Sequence, residues 1–269
     1  MELNFHKYHG AGNDFVLLDD RETNWADRLD QPTIAALCAR HFGVGADGLM
    51  LLREHPEFDF EMVYFNADGA PSSMCGNGGR CIVRFAHDLG LVREEYRFLA
   101  VDGPHRARLL PNGDVALEMH DVREIQQPAS DVFVLDTGSP HYVTNAHDPA
   151  TVDVKTVGRT IRNSTPYRVE GINVNFIRPT KDGLQIATYE RGVEDETLAC
   201  GTGVTAAAIV AMKMRGIAEG ESFRLPVEAK GGALAVTGQL INDTFTDLWL
   251  EGPAQFVFRG QWIAYQVAR

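Results

Sequence analysis

Apolar residues recur along this chain in two rhythms, and the changes between them mark out its elements. Over 3–8 and again over 15–18 the pattern is that of β-strands, on either side of a turn at Gly10-Ala11-Gly12-Asn13. A helix is expected from Pro32, with Ile34, Leu37, Cys38 and Phe42 on one face and Gly43 ending it. Strands are expected over 49–52 and 58–65. Glycines after Cys75 then lead into a helix with Ile82, Phe85, Ala86 and Leu89 on one stripe, closed by Gly90. A strand over 96–101 and a hairpin at Pro111-Asn112-Gly113-Asp114 complete this half, and 124–130 reads as a linker. Beyond it, a strand over 132–135 runs into Thr137-Gly138-Ser139-Pro140, and a polar helix follows Asp148. Strands over 174–177 and 184–189 flank Lys181-Asp182-Gly183. A helix over 202–215 stops at Gly216, and short strands fill the rest.

The second half replays the first. Cys75-Gly76-Asn77-Gly78 matches Cys200-Gly201-Thr202-Gly203 at an offset of 125, Tyr64-Phe65-Asn66 falls on Tyr189-Glu190-Arg191 at the same offset, and Gly48 falls on Asn173. Gly12 meets Gly138 at 126. A constant offset across four segments argues for two copies of one α/β unit related by a pseudo-two-fold, with a boundary near Gln126.

Composition narrows the function classes. With 25 basic and 37 acidic residues among 269, the net charge of −12 disfavours nucleic acid, and no local basic stripe offsets it. The longest notable apolar run, over 204–212, is too short to cross a bilayer. The opening MELNFHKYHG has no apolar signal core, so no membrane partner and a cytoplasmic location are expected. Four cysteines are too sparse for a disulfide scaffold, and their spacing does not suit zinc.

In each copy a cysteine stands just before Gly-x-Gly at the start of a helix. There the glycines let backbone N–H groups bind an anion, and the helix dipole favours the thiolate. Pseudo-two-fold packing would aim both sulfurs at one cleft. Inversion at a carbon beside a carboxylate needs that arrangement, with a thiolate taking a proton from one face and a thiol returning one to the other. Cys38, on an apolar helix face, and Cys81, whose counterpart is Ala206, read as packing residues. Two other readings stay open on the same residues. Gly201-Thr202-Gly203-Val204-Thr205-Ala206 fits the dinucleotide fingerprint, with Glu219 and Glu221 at about the right distance, although no buried strand precedes it. A non-enzymatic scaffold of this fold would be indifferent to loss of either thiol.

The segments HGAGNDF, NADGAPSSMCGNGGRC, GSPH, GINVNF and YERGVEDETLACGTG, in this order from Lys7 to Gly260, resemble the diaminopimelate epimerase family. The resemblance implies an α/β (α+β) fold of two pseudo-symmetric lobes, each a curled, mostly antiparallel sheet around a central helix, with the active site between them. The lobes would span 1–126 and 127–258, the tail over 259–269 packing back on the first. It also implies a homodimeric, cofactor-independent isomerase that interconverts LL- and meso-2,6-diaminopimelate for lysine and cell-wall synthesis, with no metal. By the resemblance Cys75 and Cys200 are the acid/base thiols, and His141 and Glu190 tune them. Gly76, Asn77, Gly201 and Thr202 hold the reacting carboxylate. Arg191 clamps the distal one, with Asn13, Asn66 and Asn173 as polar companions. The chain departs from the family pattern with Ser139 in place of Asn, with Gly48 in place of Gln, and with one extra residue between YERG and ACGTG.

Overall fold

Ala11 and Gly12 adopt left-handed backbone, φ 52° and 87°, and so let the chain reverse between strands Glu2–Gly10 (β1) and Asn13–Asp19 (β2). In the computed structural model, which describes residues 2–263, this hairpin opens the first of two units. That unit runs to Leu117 and takes back the chain from Pro253; the second is Glu118–Gly252.

In the first unit, helices Trp25–Arg28 (α1) and Gln31–Cys38 (α2) lead to Gly48–Arg53 (β3), parallel to β2, and Phe60–Asn66 (β4), antiparallel to β3. Helix Gly76–Asp88 (α3) then carries the chain to Tyr96–Ala100 (β5), parallel to β4, and on to the antiparallel Gly103–Leu109 (β6) and Val115–Glu118 (β7). The strand Gln255–Ile263 (β17) pairs with β1.

The second unit repeats the plan. Ile125–Ala129 (β8), Val132–Asp136 (β9) and Pro140–Asn145 (β10) form an antiparallel run. A 3₁₀ turn at Pro149–Thr151 and helix Val154–Arg162 (α4) cross to Asn173–Pro179 (β11), parallel to β10, and Leu184–Glu190 (β12) pairs antiparallel with β11. After the short Asp195–Thr197 (β13), helix Gly201–Met214 (α5) crosses to Ser222–Ala229 (β14), parallel to β12, followed by Gly232–Ile241 (β15) and Thr244–Gly252 (β16). The parallel pairs β2–β3 and β4–β5 thus recur as β10–β11 and β12–β14, each at a helical crossover.

Strand alternation buries both faces of each sheet's first half. In the first unit Val16, Leu18, Leu49 and Leu51 face outward onto Ile34 and Leu37 of α2, while Phe15, Leu17 and Met50 alternate to the other face, where Met50 meets Gly78 of α3. In the second, Val174, Phe176, Ala187 and Tyr189 pack outward with Val154 of α4, and α5 is buried along nearly its whole length, from Gly201 to Met212. The fold is α+β, mostly sheet, with one buried helix at the heart of each unit.

Several expectations need correction. Residues 124–130 are not a linker, since β8 lies there, paired with β9; its exposed, Pro-containing IQQPA sequence is that of an edge strand. The boundary accordingly falls at Leu117–Glu118, ahead of Gln126, and residues 253–258 belong with the first unit rather than the second. Of the tail, 259–263 lie in β17 and 264–269 lie outside the described residues. Helix α2 ends at Cys38 rather than Gly43, because Ala39 turns extended and the N–H groups of Val44 and Gly45 fold back onto Leu37 O. Phe42 is left at the tip of that loop, 95% exposed. The strands of the last quarter are 8 to 10 residues long, not short, and β14 alternates buried and exposed side chains throughout.

The α4–sheet contact gives a test in which two effects oppose. A β-carbon on Gly158 would lie 2.4 Å from Tyr189 Cβ and 2.6 Å from its Cγ. Alanine there gains about 1 kcal/mol of helix propensity, against roughly 1–3 kcal/mol for overpacking a rigid ring base. The steric effect is expected to win. Thermal unfolding of Gly158→Ala should show a Tm lower by about 2–6 °C; a raised Tm would contradict the packing.

Candidate active site

Helices α2 and α4 begin with aspartate caps: Asp30 accepts from Thr33 N–H and Asp153 from Thr156 N–H. The two central helices do not. Their N-cap residues are Cys75 and Cys200, both extended, and neither side chain caps its helix. The first backbone bonds onto these caps are Gly79 N–H to Cys75 O at 2.7 Å and Val204 N–H to Cys200 O at 2.9 Å. The N–H groups ahead of them project past the helix end, where the dipole favours an anion.

Around Cys75 the first unit assembles carboxamides. Asn13 Oδ1 lies 3.5 Å from Cys75 Sγ and 3.5 Å from Asn77 Nδ2. Each amide is turned by a charged group: Asn13 Nδ2 donates to Asp47, and Asn77 Oδ1 accepts from Arg80 Nη2 at 2.7 Å. Asp47 is held in turn by Arg40, which also pairs with Asp14. Asn66 stands exposed at the end of β4, opposite Gly48. Position 48 has no room for a side chain, since a β-carbon there would lie 2.4 Å from Phe65 O and 2.5 Å from the Tyr64 ring.

In the second unit Cys200 Sγ lies 3.5 Å from Thr202 Oγ1. Thr137 Oγ1 donates to Thr202 O at 2.9 Å, tying the β9–β10 turn to the start of α5. Burial pushes the Glu190 carboxyl above the ordinary carboxylate range, with polar contacts from Thr197 and Cys200 opposing the shift. His141 is fully buried; burial, reinforced by the Arg191 charge, drives its pKa down to about 3. Asn173 Nδ2 donates to Ser139 Oγ at 2.9 Å and to Pro140 O, while its Oδ1 accepts from Arg191 N–H at 2.8 Å. The exposed Arg191 guanidinium bonds Ser139 Oγ at 3.2 Å and Glu170 O at 3.1 Å. Both acceptors are neutral, so its charge stays available for a carboxylate. Ser139 is thereby the bridge that holds Asn173 and Arg191 together.

The predicted residues therefore form one group per unit: Asn13, Cys75, Gly76 and Asn77 in the first, and His141, Asn173, Glu190, Arg191, Cys200, Gly201 and Thr202 in the second. Register refines the repeat. Leu49 pairs with Phe65 and Val174 with Tyr189, so Tyr189 answers to Phe65 and Glu190 to Asn66, one residue off the offset of 125. The extra residue before Cys200 absorbs that slip.

Sequence reasoning missed Arg80, Asp47, Asn175 and Thr188. Arg80 carried a signal, as a charged residue on a helix that is otherwise buried at that turn. It is 0% exposed and donates to Asn77 Oδ1 and weakly to Gly76 O, and its Nε has no partner among the described residues. Cys38 and Cys81 are buried in the core, which pushes the Cys38 thiol up to about 11 and raises that of Cys81. The dinucleotide reading fails on geometry. A three-residue strand antiparallel to β12 precedes α5, so the glycine turn is not fed by a parallel strand, and the two acids are engaged with backbone: Glu219 accepts from Asn242 N–H in the β15–β16 turn and Glu221 from Ala218 N–H in its own loop.

This fold is shared by racemase- and epimerase-like proteins. A Bacillus anthracis phenazine biosynthesis protein of the PhzF family matches with TM-score 0.75 at 13% identity over 98% of this chain and all of the other. A probable proline racemase from Agrobacterium radiobacter, with bound carbonate, matches with TM-score 0.66 at 15% identity over 99% and 94%. The family model described as diaminopimelate epimerase matches residues 5–125 and 133–257. Diaminopimelate epimerases of Flavobacterium psychrophilum and Chlorobaculum tepidum are 45% and 42% identical, over 95% and 93% of this chain and 98% of each relative. The chain belongs to the diaminopimelate epimerase family and is an isomerase.

Replacing a buried, uncompensated cation with an apolar residue of similar length is often neutral for stability. Arg80→Met is therefore expected to keep Tm within a few degrees while lowering kcat by about 10- to 100-fold, and to move alkylation of Cys75 by iodoacetamide to higher pH. Unchanged activity and alkylation would show that Arg80 serves packing alone.

Proposed function

We propose that this protein interconverts LL- and meso-2,6-diaminopimelate by a cofactor-independent, two-base reaction at Cys75 and Cys200. The observation that carries this reading is the pair of buried helices whose N-caps are cysteines and whose first turns are left uncapped, one in each repeat. One sulfur, as thiolate, takes the α-proton; the other, as thiol, delivers a proton to the opposite face of the same carbon. The charge that gathers on the carboxylate between these events is stabilised by backbone N–H groups at Gly76, Asn77, Gly201 and Thr202. His141 and Glu190 tune the two thiols. Arg191, with Asn173, Asn13 and Asn66, holds the distal amino-acid end, so that one stereocentre reacts. The reaction belongs to lysine and peptidoglycan-precursor synthesis in the cytoplasm, where reducing conditions preserve both thiols.

A homodimer is the assembly we propose. Phe256, Val257, Phe258 and Ile263 of β17 are 44–50% exposed on both faces of one strand, an apolar surface suited to a second copy of the chain.

Two measurements test these readings. In D2O, with protein freed of pyridoxal phosphate and metal, wild type should incorporate deuterium at the α-carbon of LL-diaminopimelate as it epimerises. Cys75→Ala and Cys200→Ala should each lose epimerisation by about 10²- to 10⁴-fold. Exchange of a different amino acid only would keep the mechanism and change the substrate; wild-type rates in both variants would end the two-thiol reading. Sedimentation equilibrium should show a dimer for wild type and a shift toward monomer for Val257→Asp. A monomeric wild type would end the dimer proposal.

A further inference from the structure

The inner faces of the two sheets differ where they meet the first turn of the central helix. In the first unit the residues there are Phe15, Met50 and Tyr64. Met50 pairs with Tyr64 across β3–β4, and the Phe15 and Tyr64 rings meet edge to face at 5.9 Å. A β-carbon on Gly78 would strike the Met50 side chain. In the second unit the equivalent positions are His141, Asn175 and Thr188. Asn175 pairs with Thr188 across β11–β12, and a β-carbon on Gly203 would lie 2.5 Å from Asn175 Oδ1. One turn is seated on a phenyl ring, a thioether and a half-buried tyrosine ring, and the other on three polar side chains that are nearly or wholly buried. Packing alone does not call for the polar set, because the first unit fills the same space without it.

The hydrogen bonds of the polar set run in one direction. Asn175 Nδ2 lies 3.1 Å from Tyr142 O, which can only accept, so this atom must be the amide nitrogen. Asn175 Oδ1 then accepts from Thr188 Oγ1 at 3.0 Å. The same Nδ2 lies 3.1 Å from His141 Nδ1, which must therefore be the acceptor. With Nδ1 accepting, the neutral ring carries its proton on Nε2, and that buried nitrogen has no partner among the described residues. The ring and the cysteine flank the same point of the first turn of α5: the His141 Cε1 and the Cys200 Cβ each stand 3.4 Å from where a Gly203 β-carbon would lie.

We propose that Asn175, fixed by Thr188 and the Tyr142 carbonyl, is a positioning residue that locks His141 as a neutral Nε2–H donor, whose partner is the Cys200 sulfur once that thiol has given up its proton. His141 is then neither a base nor a cation in the reaction. Its Nε2–H stabilises the thiolate formed when the S–H bond breaks and the proton passes to the α-carbon, and it releases the sulfur when a proton returns. Burial and the Arg191 charge both disfavour the imidazolium, in agreement with this assignment.

This inference rests on the two-thiol reading, but its primary test needs no substrate. In protein labelled with 15N-histidine, the His141 ring should show the neutral Nε2–H signature from pH 5 to 9. Asn175→Asp turns a carboxylate toward Nδ1 and should move the proton there, lowering kcat for epimerisation by about 10- to 100-fold with little change in KM. Thr188→Val should loosen the tautomer, and Thr188→Ser should restore it. A wild-type ring protonated on Nδ1, or titrating within that range, would overturn the proposal even if the variants fail to fold. So would Asn175→Asp that shifts the tautomer and leaves kcat untouched. Wild type that shows the expected tautomer but does not act on diaminopimelate would reject the substrate and leave the tautomer lock standing.

Discussion

The rest of this structure depends on two helix N-termini that are buried and deliberately uncapped. A helix end must satisfy its first N–H groups somehow, and this chain caps with aspartate elsewhere, at Asp30 and Asp153. At α3 and α5 it places cysteine, whose sulfur does not serve as a cap. Glycines at 76, 78, 201 and 203 keep the approach open, and two of them are enforced by neighbours, since Gly78 and Gly203 have Met50 and Asn175 where a side chain would go. Each sheet curls around such a helix, so that the site is a product of the core rather than an attachment to it.

Duplication accounts for the architecture and divergence for the chemistry. Both units run two antiparallel strands, a helical crossover, a second antiparallel pair and a buried helix, in the same pairing order. Their charged groups are not repeated. The first unit buries Arg80 one turn into its helix, where the second has Thr205, whose hydroxyl donates to Gly201 O. The second has Glu190 and His141, one with a raised and one with a lowered pKa, so both environments favour the neutral form. The two-base reaction proposed above needs such inequality at any instant, even if the roles exchange over a cycle.

Much of the fold was legible in the sequence, and what was not shares a cause. The constant offset between CGNG and CGTG exposed the repeat because glycine positions are dictated by backbone space. Strands β2, β3, β11 and β12 were legible because two buried faces require long apolar runs. Strand β8 escaped because IQQPA is exposed along most of its length and reads as polar loop. Phe42 was misplaced because helical periodicity continues past Cys38, whereas the chain reverses at Ala39 to satisfy the end of α2, a tertiary choice that periodicity does not record.

The candidate site divides along the same line. The residues proposed to act, such as Cys75, Cys200, His141 and Arg191, stand in motifs and could be named from sequence. Those that orient them could not. Asp47 fixes the Asn13 amide from 34 residues away and Thr188 fixes Asn175 from 13. Ser139 reads in sequence only as a departure from the family's Asn, yet in the structure it joins Asn173 to Arg191 through one hydroxyl. An amide has two faces of opposite sign, and which of them meets a sulfur or a carboxylate is decided by the partner on its far side. Where a site is built from asparagines, as this one is, its electrostatics are therefore set by residues beyond the motif.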